Sequence, residues 1–195
     1  MADGIDLYSS ERVRFTREEI DLLMAGGTVL KLKRGQILYN AGEPSNTVYF
    51  LRKGTAKYHT IHPDGSNRNT AYMEAPDLLG VINILPDHLT LNCCTAVTAC
   101  EVVTCPSNVF LERVERYNLM GKLFRFSTET SRHIYQTLTT LLSENRVNLV
   151  RSLRNDLGLT LQETADFIGC SRVHVSRIIK QIEDEAAEPS SRQDV

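Results

Sequence analysis

No apolar run in this chain approaches the length of a membrane span, so a helical membrane anchor is not expected. The opening Met1-Ala-Asp-Gly-Ile-Asp6 lacks both the basic stretch and the apolar core of a secretory signal, which makes the cytoplasm the default compartment. An excess of positive charge is missing too. The formal net charge is -2, so the chain as a whole is no basic nucleic-acid binder, and charge has to be read region by region. The cysteines, Cys93, Cys94, Cys100, Cys105 and Cys170, are odd in number and contain no C-x-x-C pair, which argues against a disulfide framework. Cys93 and Cys94 are adjacent, and in a strand they point to opposite faces, so they are read as small core residues rather than shared ligands.

What is present changes texture along the chain. Hydrophobic residues at 42% and charged residues at 24% are ordinary for a globular protein of 195 residues, enough for one good core or two small domains on a connector. Residues 16–26 read as a short helix capped by Thr16 with Glu19 as its capping-box partner, stopped by Gly26 and Gly27. From Thr28 to Cys105 short β-branched and aromatic runs alternate with turns: 29–33, 36–39, 47–51, 56–61, 69–73 and 91–105, with Pro63-Asp64-Gly65 as a hairpin turn. That spacing predicts a compact sandwich or barrel. Helical pattern resumes after Pro106, and a longer helix starts near Asn118. Its positions Met120, Phe124, Ser127, Ser131, Ile134, Leu138, Leu141 and Asn145 form a heptad-like seam with a polar middle, flanked by Leu119, Leu123, Tyr135 and Leu142. One apolar surface is expected to pack on the β domain and the other on a second copy of the helix. Residues 147–157 continue as helix until Gly158.

Residues 160–182 carry the strongest signal. Thr160 and Glu163 make a capping box, Ala165 is small where two helices cross, Gly169 supplies a positive-φ turn and Ser171 caps a second helix. Leu161 and Ile168 on the first helix, and Val175, Ile178, Ile179 and Ile182 on the second, form the buried stripes. The remaining face of the second helix presents Arg172, Val173, His174, Ser176, Arg177 and Lys180, residues that read or grip DNA. Between 146 and 182 there are six basic residues (Arg146, Arg151, Arg154, Arg172, Arg177, Lys180) against three acidic ones (Asp156, Glu163, Asp166).

The run from Gly169 to Lys180 resembles the recognition element of the Crp/Fnr family of bacterial transcription regulators. The stretch from Lys33 to Gly54 resembles the opening strands of that family's cyclic-nucleotide-type β-roll, and Thr98-Ala-Cys-Glu-Val102 the strand after its ligand cassette. The resemblance covers roughly residues 16–184. It implies an α+β chain: an N-terminal double-stranded β-helix (a jelly-roll-like β-roll) at 1–106, a short helix and a long dimerisation helix at 107–146, a helix-turn-helix at 147–182, and an acidic tail at 183–195. It further implies a homodimer on a palindromic operator, one recognition helix per major groove, with a small effector in the β-roll shifting the pose of the DNA-binding domains. RNA polymerase joins DNA, a second copy and the effector among the implied partners; a membrane does not.

The chain departs from the family in three places. Cyclic-AMP-binding members carry Gly-Glu early in the cassette and an Arg-Ser or Arg-Thr pair near its end. Here Val81 replaces the glutamate and no cation stands near Thr90-Leu91, so a buried phosphate has no partner and cyclic-nucleotide binding is not expected. Iron–sulfur sensing lacks its N-terminal cysteine cluster. Haem is not expected either, although His59, His62, His88 and His133 are available. A small organic effector is preferred, with Tyr72, Asn83, Asn92, His133 and Gln136 as candidate lining; action without an effector stays open. In the recognition helix many members place a glutamate after the position of Arg172, where it reads a G·C pair. Val173 stands there instead, as an apolar residue does in the halorespiration-type branch, and offers contact only to a thymine methyl. Arg177 is the expected base reader, Ser176 and Lys180 grip phosphate, and Thr160 and Gln162 bond phosphate from the first helix N-terminus. Finally, the family's β-hairpin wing is missing after Ile182. Residues 183–195 carry five acidic residues against Arg192 and are expected to be disordered; a naturally short member and a shortened one fit equally.

Two other readings stay beside this one. A β-roll module acting through protein partners would leave the helix-turn-helix impaired in DNA binding. A cupin-like metal enzyme would use His59 and His62, but His-x-x-His puts the rings on opposite faces of a strand. No catalysis and no resident cofactor are expected.

Overall fold

In the computed structural model, residues 13–44, 46–61, 65, 67–84, 89–143, 145–156 and 158–187 are described. The chain opens with α1 (Arg17–Leu23), whose capping box forms as expected: Thr16 Oγ1 accepts from Glu19 N–H at 3.2 Å, and the Glu19 carboxylate accepts from Thr16 N–H at 2.6 Å. Eight strands follow: β1 (Thr28–Leu32), β2 (Ile37–Tyr39), β3 (Thr47–Lys53), β4 (Thr55–Ile61), β5 (Asn67–Glu74), β6 (Asp77–Leu79), β7 (Cys93–Ala96) and β8 (Cys100–Pro106). They form two four-stranded antiparallel sheets, ordered β1-β8-β3-β6 and β2-β7-β4-β5. This is the jelly-roll arrangement expected of the β-roll.

Strand alternation sorts the side chains into layers. Leu51, Leu79 and Val102 of the first sheet face Ala56, Tyr58, Ala71, Met73, Cys94 and Ala96 of the second, and these make the core of the roll. Their neighbours Val48, Leu78, Val103 and Cys105 point out of the first sheet. There they meet Ile20 and Leu23 of α1, Phe110 and Val114 of α2 (Ser107–Arg116), and Leu123 and Phe126 of α3 (Met120–Ser143). Phe110 and Val114 are fully buried, each contributing about 1.5–3 kcal/mol. The first sheet is therefore covered on both faces, and β8 reads as a near-continuous apolar run for that reason.

The run 91–105, expected to supply strands, divides into two that lie in different sheets. The chain turns between them at Val97–Ala99, where the Val97 and Thr98 amides both donate to Thr55 O. The three-residue β6 and the 3-10 turn Val81–Asn83 after it were not expected. The β4–β5 hairpin forms with Ile61 opposite Asn67, but of its expected turn only Gly65 is described.

The long helix does not run into the next one. Asn145, placed on the seam by its spacing, is instead an N-cap: its ψ is 135°, and its side chain accepts from Val147 N–H at 2.9 Å. It opens α4 (Arg146–Arg151), which loosens into a π turn over Ser152–Asp156 before Gly158 reverses the chain. Two helices complete the fold, α5 (Leu161–Ile168) and α6 (Arg172–Ala187). The acidic residues after Ile182 were expected to be disordered. Residues 183–187 instead extend α6, since Glu183, Asp184, Glu185, Ala186 and Ala187 all propagate a helix already nucleated. Residues 188–195 lie outside the described residues. No helix among the described residues is long and apolar enough to cross a membrane.

Candidate nucleic-acid interface

The two C-terminal helices are set at their angle by the small residues between them. Gly169 closes α5 in the left-handed region (φ 70°, ψ 48°), and its amide and that of Cys170 both return to Ala165 O. Ala165 is buried where the helices cross, packed with Val150, Val175 and Ile178; Val147, Leu161, Ile168, Ile179 and Ile182 close the cluster. Thr160 and Glu163 form the capping box at the start of α5, and Ser171 Oγ accepts from His174 N–H at 3.2 Å at the start of α6. Burial of that stripe leaves the opposite face of α6 in solvent. Arg172, Val173 (60% exposed), Ser176, Arg177 and Lys180 are exposed, and His174 is half-buried. Among the described residues none of Arg172, Arg177 and Lys180 joins an ion pair, so three cations stand free on one helix face.

At the N-terminus of α5 the expected phosphate donors are exposed but already bonded to acids of the same helix. Thr160 Oγ1 donates to Glu163 at 2.6 Å, and Gln162 Nε2 to Asp166 at 2.7 Å. Burial works against the charge of Glu163, but the Thr160 hydroxyl and amide, with Lys57 and Arg34 nearby, hold it below the usual carboxylate range.

On α3 the two apolar surfaces separate. Leu123, Phe126 and Thr130 are buried toward the roll, whereas Met120, Phe124 (71% exposed), Ser131, Tyr135 and Leu138 are exposed and Ser127 is half-buried. Ile134, assigned to the seam by spacing, packs against the core of the roll instead, because α3 rests on β5 at that level. The helix includes Leu141, whose side chain lies outside the described ones, as does that of Leu142.

Of the five residues expected to line an effector pocket, one, Asn83, borders a crevice described in the roll, with Tyr39, Glu43, Pro44, Asn46, Thr47, Tyr49, Gly80 and Thr90. Its volume is about 40 Å³, room for a water or two. Asn83 is buried and its Nδ2 has no partner among the described residues. Thr90, at the place where a phosphate-binding arginine was sought, donates to Asn40 O at 2.6 Å. No described lining residue is a cation, and Glu43 adds a carboxylate. Tyr72 lies elsewhere, on the outer face of the second sheet, stacked on Phe167. Asn92, His133 and Gln136 do not border the crevice.

His59 bonds Thr95 Oγ1 through Nε2 at 2.9 Å; burial, and then Lys57, hold its pKa below the ordinary histidine value. His62 and His88 lie outside the described residues, and among the described residues no cluster of three or more His, Cys, Asp or Glu is arranged for a metal ion.

Sequence reasoning did not find Phe167, Lys57 or Asp166, which join the helix-turn-helix to the roll. Tyr72 and Phe167 stack with ring centroids 5.5 Å apart, and Lys57 Nζ lies 3.8 Å from Asp166 Oδ2. No local pattern pairs residues so far apart in the chain.

Known proteins share this arrangement. The cyclic nucleotide-binding domain model matches residues 29–117. The chain is 25% identical over 165 residues to the cAMP-activated global transcriptional regulator CRP of Pasteurella multocida, covering 76% of this chain and 79% of the relative. It is 27% identical over 169 residues to the HTH-type transcriptional regulator ArcR of Staphylococcus epidermidis, covering 78% and 74%. Among solved structures, the c-di-GMP responsive global regulator CLP of Xanthomonas campestris superposes with a TM-score of 0.78 at 14% identity, over 88% of this chain and 93% of that one.

Proposed function

We propose that the chain is a transcription regulator of the Crp/Fnr type that binds a palindromic operator as a homodimer, in the cytoplasm, and performs no catalysis; the cyclic nucleotide-binding domain match and the similarity to transcription regulators support this reading. The observation that carries this reading is the face of α6: three unpaired cations, Val173 and Ser176 exposed over a buried apolar stripe, at a turn fixed by Gly169. A helix so presented fits the major groove, and two copies related by a two-fold axis fit two half-sites. Arg177 is assigned to a base edge and Val173 to a thymine methyl. Arg172, His174, Ser171, Ser176 and Lys180 hold the backbone, and Thr160 and Gln162 join them once phosphate competes for their donors. The exposed face of α3 supplies the contact between copies.

Any effector differs from cyclic AMP. The crevice beside Asn83 is too small for a nucleotide as it stands, and Glu43 at its edge repels a phosphate. A small neutral organic molecule that accepts from the Asn83 amide is the class we assign, and the crevice has to widen to admit it. RNA polymerase is the further partner this role requires.

Fluorescence anisotropy on labelled palindromic duplexes at one salt concentration tests the reading. Half-sites carrying A·T opposite Val173 are expected to bind tighter than those carrying G·C, and both tighter than a scrambled duplex. Arg177→Ala is expected to lose about 1–3 kcal/mol of discrimination. Equal binding to operator and scrambled duplexes would leave the β-roll acting through protein partners.

A further inference from the structure

Helix α5 does not stand clear of the β-roll. It is docked on the outer face of the β4–β5 hairpin, through an apolar centre with a charged rim. At the centre Tyr72 and Phe167, 2% and 4% exposed, stack at 26° between planes, and Leu149, Leu153 and Leu159 close round them. At the rim the charges are sorted by side. Arg34, Lys57 and Arg68 belong to the roll; Glu163 and Asp166 belong to α5. The Lys57–Asp166 pair is largely covered, with side chains 17% and 15% exposed. Arg68 lies against the turn itself, so close that a Cβ at Gly169 would come within 2.5 Å of its guanidinium carbon.

Glu163 lies in the first turn of α5, the end assigned to DNA phosphate, and Asp166 follows one turn further on. Thr160 and Gln162 donate to them, and two uncompensated carboxylates on the first two turns of α5 would oppose a phosphate approaching that end. Docking offsets the local negative charge. Lys57 faces Asp166 directly, and Lys57 with Arg34 also stabilises the charged form of Glu163.

We propose that the docked pose is the DNA-competent arrangement and that Lys57 and Asp166 are positioning residues for DNA binding. They neutralise the acidic flank of α5 and hold each recognition helix at one angle to the α3 seam, without touching a base. This rests on the DNA-binding reading above. The roll face formed by β4 and β5 is then the surface through which the sensor domain sets DNA affinity.

The experiment uses the full chain. Lys57→Glu, Lys57→Arg, Asp166→Lys and the Lys57→Glu/Asp166→Lys swap are titrated against the operator duplex over a series of salt concentrations. Hydrogen–deuterium exchange of β5 and α5 amides is followed without DNA. Lys57→Glu is expected to lower operator affinity about tenfold and to speed exchange in both elements. Lys57→Arg and the charge swap are expected to restore both readouts. The slope of log affinity against log salt should stay unchanged in the swap, because loss of a direct phosphate contact by Lys57 would alter it by about one. Operator binding that is unchanged or tighter in Lys57→Glu, with exchange speeded, overturns the proposal by making the docked pose irrelevant or inhibitory. Failure of the swap to restore exchange overturns the role of this pair. Wild-type protein that binds no duplex overturns the DNA-binding reading first and this inference with it, an outcome distinct from the other two.

Discussion

Phe124→Glu is expected to give a folded monomer that has lost its operator. Among the described side chains of α3, Phe124 and Tyr135 are the most exposed large apolar ones, and Met120 and Leu138 continue the same face. Monomers rarely leave such a patch in water. Across a two-fold axis the face meets its own copy, so one substitution enters the contact twice and sets two carboxylates against each other in a partly dehydrated seam. The opposite face, with Leu123, Phe126 and Thr130 against the roll, is untouched, so the protomer should keep its fold. Light scattering on a size-exclusion column should show the mass halved while circular dichroism stays the same. Operator affinity should fall by more than about 100-fold, since linking two half-site contacts contributes roughly 10²–10⁴. A dimer that survives the substitution would remove α3 as the contact between copies.

Gly54→Ala is expected to cost about 3–5 kcal/mol, a third or more of what holds a domain of this size together. Gly54 turns β3 into β4 with φ at 90°, where side chains other than hydrogen are strained. An added Cβ would stand 2.3 Å from Ala99 O and 2.8 Å from both Cys100 Sγ and Thr98 Oγ1. The nearest of these is backbone, and it belongs to the corner between β7 and β8, which is tied to Thr55 O by two amides. That corner cannot retreat without breaking the passage from one sheet to the other. Gly35→Ala is the matched control. Its φ is 82°, but nothing lies within 4 Å of the added carbon, so only the conformational strain of about 1–2 kcal/mol applies. Urea midpoints followed by circular dichroism separate the two, and equal losses would show that the corner yields.

The helix-turn-helix was legible in the sequence because its signals are local. The capping box of Thr160 and Glu163, Ala165, Gly169 and Ser171 fall within a dozen residues, and each does in the structure what its chemistry requires. The β-roll was legible as runs and turns, but not in its corners. Val97–Ala99 contains neither glycine nor proline, and what bends it is a carbonyl more than forty residues away. Asn145 fitted a heptad and was used as a cap, because asparagine serves either place and spacing alone does not choose. Tyr72 was read as effector lining because a tyrosine among strands suits a pocket, whereas its partner Phe167 sits on another domain. Ile134 shows the same ambiguity on α3, where one helical turn decides between the roll and the second copy.

The five thiols give this chain an internal clock for its own opening. Cys93, Cys94, Cys100 and Cys105 are free and buried in the β-roll, and burial pushes the Cys94 thiol far above its ordinary range and Cys105 up as well. Cys170 is only half-covered, in the turn between α5 and α6, and burial raises its pKa too. An alkylating reagent therefore reaches Cys170 in the folded chain, and the other four only at the rate at which the sensor comes apart. The stability of the sensing body becomes measurable against a thiol that reacts from the start, in one tube, with no residue changed.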